Sequence, residues 1–173
     1  MHDRKKLIYV LDSSALIAMQ NELWPMQHFP IVWTKLNGLA DGARLLACEA
    51  VKEECAGDEL VRWFSQHPGV VVGPSSLMEF CMKRLMKDLQ SKNKRLVDYE
   101  SCSSKADPFV VACAMVCNLE DGGHFDSGRC VVVQHEGSAG SSPTRVKIPD
   151  VCDWYGIKYI RALDIVREEK WVF

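Results

Sequence analysis

Two short runs, "LIYVL" at residues 7–11 and "VVV" at 131–133, are apolar at every position and rich in strand-forming side chains. A strand with one wet face alternates apolar and polar residues, so strands without alternation must be covered on both faces. Polar residues follow each run at once: Asp12-Ser13-Ser14 after the first and Gln134-His135-Glu136 after the second. Such strands need a mostly parallel sheet with helices on both sides.

The intervening sequence supplies those helices. Helical spacing starts in "SALIAMQNEL", with Ser13 or Ser14 as its expected N-cap and Asp12 as the alternative cap. "IVWTKLNGLADG" reads as a helix closed by Gly42, and "RLLACEAVKEECAGDELVRWF" as a strand and two helical segments broken at Gly57-Asp58. A brief strand, "GVVVGP", leads to a long amphipathic helix over residues 75–96, with Leu77, Cys81, Leu85 and Leu89 on its apolar stripe. "ADPFVVACAMVCNL" is apolar nearly all round, which predicts a central, covered helix. "KIPDVCDWYG" is a short helix opened by Pro149, "IKYI" a last strand, and "ALDIVREE" a terminal helix. The expected fold is α/β, a three-layer α/β/α sandwich with a mostly parallel central sheet, formed as a single domain over residues 1–173. A content of 47% hydrophobic and 25% charged residues suits one core of that size.

The basic start followed by "LIYVL" resembles a secretion signal, but Asp12 stops that apolar run at five residues, against about 7–15 in a true signal. No later run approaches the ~18 residues of a membrane span. The eight cysteines form no CxxC pair and most lie in apolar stretches, the pattern of thiols packed in a reducing compartment. A soluble, cytoplasmic protein is expected. Cys113, Cys117, His124 and Cys130 are the alternative, a zinc site, although their spacing matches no structural zinc motif. The formal net charge of −2 gives no global pull on nucleic acid, so any such binding needs a local patch.

In parallel sheets, ligands bind beyond the carboxyl ends of the strands. Asp12 and Glu136 follow strands and should emerge on that edge. Glu54 sits beside the core stripe of its helix, whereas Glu53 points away from it. Asp107 stands at the mouth of the buried helix, where an N-cap with Pro108 at N1 would also explain it. Crowded carboxylates repel and raise one another's pKa unless a cation joins them, and hard oxygen ligands suit Mg²⁺ or Mn²⁺.

These pieces resemble the PIN-domain nucleases, which include VapC-type toxins. The matching segments are "YVLDSSALI", "AVKEEC", "ADPFVVACA" and "VVVQHE", and "RVKIPDVCDWYGIKYI" is similar to an uncharacterised bacterial PIN-like subfamily with a "KIPDVC" segment. The resemblance implies Asp12, Glu54, Asp107 and Glu136 as catalytic, metal-holding acids, with Ser14 as a small polar residue lining the site. It implies Mg²⁺- or Mn²⁺-dependent endonucleolytic cleavage, with RNA as the expected substrate and products ending in 5′-phosphate and 3′-hydroxyl. It further implies homodimerisation and, if the chain is a toxin, a protein antitoxin as partner; the short apolar runs give the expectation of no membrane. The chain departs from the wider pattern at Gln134-His135-Glu136, where Thr or Ser commonly precedes the acid and Asp is commoner than Glu.

Arg145 and Lys147, beside the loop "GSAGSSPTR", and the cations from Lys83 to Arg95 are candidates for phosphate contact. Asp150 reads either as an outer acid or as a first-turn residue that stabilises a helix start. His135 receives no catalytic role. The rival from another class is a PIN-like module that binds nucleic acid or protein without turnover. A haloacid-dehalogenase-type phosphatase needs a second Asp two positions after the first, where this chain has Ser14.

Overall fold

The computed structural model describes residues 6–96, 105–140 and 142–173. Its strands are β1 (Ile8–Leu11), β2 (Leu45–Cys48), β3 (Val71–Val72), β4 (Cys130–Val133) and β5 (Lys158–Ile160). They form one all-parallel sheet in the order β3-β2-β1-β4-β5. The helices are α1 (Ser13–Ala18), α2 (Pro30–Asp41), α3 (Glu49–Glu54), α4 (Asp58–Gln66), α5 (Ser76–Ser91), α6 (Asp107–Gly122), α7 (Ile148–Tyr155) and α8 (Ala162–Glu168). The fold is the expected three-layer α/β/α arrangement.

Its centre follows from the unalternating strands. Tyr9, Val10, Leu11 and all four residues of β4 are completely buried, so both faces of the inner sheet are covered. Each such side chain contributes about 1.5–3 kcal/mol of hydrophobic stabilisation. Helix α6 packs on α5 and against β1, β2 and β4. The chain steps outward from β1 to β2 and β3, then places β4 on the opposite side, so the order reverses between β1 and β4. That reversal opens a crevice at the carboxyl edge of an α/β sheet.

Three local readings change. Asp12, rather than either serine, caps α1: its carboxylate accepts the Ser14 N–H at 3.2 Å. Helix α5 stops at Ser91 instead of continuing to residue 96, because Asn93 turns left-handed (φ 50°) and the Lys94 N–H closes on the Leu89 carbonyl at 2.9 Å. Asparagine tolerates that conformation better than most side chains. On α5 it is Met78 that joins Cys81, Leu85 and Leu89 in the core, with Leu77 half-buried.

The zinc alternative does not materialise among the described residues. Cys113, Cys117 and Cys130 are packed in the core while His124 is exposed, and no group of these residues is arranged to hold a metal. Cys102 lies outside the described residues. Among the described residues no helix is long and apolar enough to cross a membrane.

The start of β4 is fixed by Asn118, a fully buried polar residue on α6. Its amide donates to the Phe125 carbonyl at 2.7 Å and accepts from the Cys130 N–H at 2.8 Å and the Ser127 hydroxyl at 3.0 Å. Asn118→Ala should therefore destabilise the protein by about 3 kcal/mol, because a cavity opens and buried backbone groups lose their partners. Urea unfolding would read this as a lower midpoint with an unchanged slope; a midpoint equal to wild type would contradict it.

Candidate functional site

Asp12 leaves β1 where the strand order reverses. The last residues of β1 and β4, Leu11 and Val133, are paired in register, and the Asp12 N–H donates to the Val133 carbonyl at 2.9 Å. The carboxylate is thereby fixed at the sheet's carboxyl edge, 3% exposed. One oxygen, Oδ2, accepts from the N–H and hydroxyl of Ser14. The other, Oδ1, is buried without any hydrogen-bond partner. Burial pushes the Asp12 pKa up to about 6, against the hydrogen bonds from Ser14 that favour the charged form, and the Glu136 charge adds to the rise.

Asp107 occupies the first turn of α6, with Ala106 at the N-cap position. Among the described residues no side-chain hydrogen bond caps this helix start, so Asp107 is not its N-cap. It is 7% exposed, and burial followed by the charges of Asp12, Glu136 and Glu54 raises its pKa to about 8. The Lys147 ammonium opposes that rise. The four acids nominated from sequence thus share one neighbourhood at the carboxyl edge.

Their surroundings differ. Glu54 accepts from the Ser13 hydroxyl at 2.5 Å and from the Ala106 N–H at 3.0 Å, linking α3 to the starts of α1 and α6. Glu53 is exposed. Glu136 pairs with Lys147 at 2.8 Å in a half-exposed ion pair. Among the described residues no group of three or more His, Cys, Asp or Glu side chains stands ready-arranged around one metal position. The two thiols that feel the Asp12 charge, Cys48 and Cys55, are pushed up to about 11 and about 12, chiefly by burial, so they are neutral packing groups.

The donors present still fit a hard divalent cation. Mg²⁺ keeps several waters and is commonly held by one or two carboxylates plus substrate phosphate. Asp12 offers a buried oxygen with no donor, and Asp107 stands close enough to feel its charge.

Other nominated residues are distributed unevenly. The Ser14 hydroxyl donates to Asp12 and accepts the His135 N–H at 3.1 Å, so it braces the turn against the end of β4 rather than offering itself to a ligand. Lys147 reaches the acids, whereas Arg145 is exposed and its segment forms an isolated bridge with Arg95. Asp150 accepts from the Ser138 hydroxyl and from the N–H groups of Ala139 (3.0 Å) and Lys147 (2.8 Å). Burial alone would raise its pKa, but these donors outweigh it and hold the group below its ordinary value. Asp150 thus pins the Gly/Ser loop to the start of α7. Sequence reasoning passed over Ser13 and Gln134. The serine pair after β1 was the available signal for Ser13, and the polar residue ending a buried strand was the signal for Gln134.

Fold and site together define an α/β protein with an acidic centre at the switch point of a parallel sheet. Over residues 9–173 the chain matches the family described as a domain of unknown function, DUF4411, and it belongs to that family. No curated protein matches it.

The raised pKa of Asp107 has a definite sign in stability. A carboxyl whose folded pKa exceeds its unfolded value leaves its contribution to stability fully present below the ordinary value of 3.8, and that contribution is lost progressively as pH rises from there through about 8. In EDTA, Asp107→Asn should raise the melting temperature relative to wild type by at least about 3 °C at pH 9, and by much less at pH 4. A pH-independent difference, measured by scanning calorimetry, would show that Asp107 is not held neutral by its surroundings.

Proposed function

We propose that the chain is a divalent-metal-dependent endoribonuclease of the PIN type. The observation that carries this reading is the pairing of two buried carboxylates, Asp12 with a donorless oxygen and Asp107 with a raised pKa, at the sheet's carboxyl edge. Two such groups are costly to keep ionised without a cation, and a site that held none would gain by replacing them.

Asp12 and Asp107 would hold the ion. When bound, Mg²⁺ or Mn²⁺ supplies a lowered water pKa and neutralises phosphate charge. The chain's own groups do the positioning. Ser14 fixes one Asp12 oxygen and leaves the other without a donor, available to a cation, while Glu54 anchors the start of α6 and with it Asp107. Glu136, half-exposed and paired with Lys147, would orient an attacking water, and Lys147 would release the carboxylate and pair with a phosphate oxygen.

The test is cleavage of a mixed-sequence RNA with Mg²⁺ or Mn²⁺, comparing wild type with Asp12→Asn and Asp107→Asn. Either substitution should lower the rate by at least about 100-fold, because each removes a metal-holding charge. Equal rates in all three proteins would remove the assignment from this site.

A further inference from the structure

A second concavity lies beside the acids. At the carboxyl ends of β4 and β5 a crevice of about 300 Å³ is lined by Gln134, Glu136, Pro149, Tyr159, Ile160 and Arg161, among others. Glu136 belongs to both places, so a chain of phosphates at the acidic centre would pass the mouth of this crevice.

Its lining has three unusual features. Gln134 is only 4% exposed, and its side-chain carbonyl oxygen is buried with no donor. The backbone of the same residue is spoken for, since its N–H donates to the Ile160 carbonyl at 3.1 Å and continues the β4–β5 ladder. A buried amide oxygen without a partner is rare in folded proteins and marks a place where a donor is missing. Next to it, Pro149, Tyr159 and Ile160 form an apolar wall with one aromatic ring. At the rim, Arg161 is exposed, and among the described residues its guanidinium makes no ion pair. The nearby Asp164 is engaged elsewhere: it accepts the Arg161 backbone N–H at 3.1 Å and pairs with Arg167 at 2.7 Å.

An amide, an apolar wall with an aromatic ring and an exposed cation are groups that bind a nucleotide: the amide reads a base edge, the ring takes its face, and the cation takes a phosphate. The volume is at the small end for ligand pockets and suits one nucleotide rather than several. We infer that this crevice is a nucleobase subsite, in which Gln134 selects the base of a nucleotide flanking the cleaved bond and Arg161 holds its phosphate. The inference rests on the ribonuclease reading and adds to it a residue that determines sequence preference.

The experiment measures binding of fluorescein-labelled hexaribonucleotides, varied one position at a time, by anisotropy with EDTA present. Wild type should favour one base at one position by about tenfold in Kd. In Gln134→Leu, the four bases at that position should bind within about twofold of one another, with unchanged circular dichroism. Arg161→Gln, an exposed change, should weaken all four by about threefold and leave the preference intact. If Gln134→Leu does not fold, Gln134→Glu, which removes the amide's donor, should also abolish the preference for the base that wild type favours. No base preference in wild type, or a preference that survives in the Gln134 variants, overturns the subsite. Replacing EDTA with Mn²⁺ and following cleavage of the same hexamers judges the nuclease reading separately, since base-selective binding without cleavage would refute that reading alone.

Discussion

The hydrogen bond from the Asp12 N–H to the Val133 carbonyl is the point on which the rest of the site depends. It joins β1 to β4 at the place where the strand order reverses, and it fixes where the chain leaves the sheet. From there Ser14 bonds back to Asp12 and receives the His135 N–H, while Ser13 reaches Glu54. Three elements are thereby tied to one turn. Helix α6 is tied in by the Ala106 N–H on Glu54, which sets Asp107 beside Asp12.

This arrangement places charge where burial opposes it. Burial raises the pKa of both Asp12 and Asp107, and at Asp107 the neighbouring acids add to the effect. Polar contacts offset part of the cost at Asp12, and Lys147 offsets part at Asp107. The residue of unfavourable charge is what a divalent cation would balance. The opposite end of the sheet is built differently: Arg44 and the Tyr9 hydroxyl both bind Glu169, a satisfied cluster that fastens the end of α8 to β1. One edge is closed by matched charges, and the other keeps an excess of one sign.

Much of this was legible in the sequence because it depends on period. The absence of alternation in "LIYVL" and "VVV" dictated strands covered on both faces, and the 3.6-residue period separated Glu54 from Glu53. Pairings between distant elements were not legible. Ser13 with Glu54, Lys147 with Glu136, and Asn118 with the turn before β4 join positions that no local pattern relates. Asp107 illustrates the limit: before a proline it reads as a cap, and only the structure shows Ala106 at the cap position and Asp107 buried among other acids. Asp150 shows the converse, since three donors from one loop and one helix start account for an acid that sequence left between two roles.

The central claim is that Asp12 and Asp107 form a cation site. Isothermal titration of Mn²⁺ into the wild-type protein and into the Asp12→Asn/Asp107→Asn double variant tests it most directly. The account predicts saturable uptake by wild type that is absent from the double variant, with both proteins folded by circular dichroism. A folded wild type that takes up no Mn²⁺, or uptake that persists unchanged in the double variant, would contradict it.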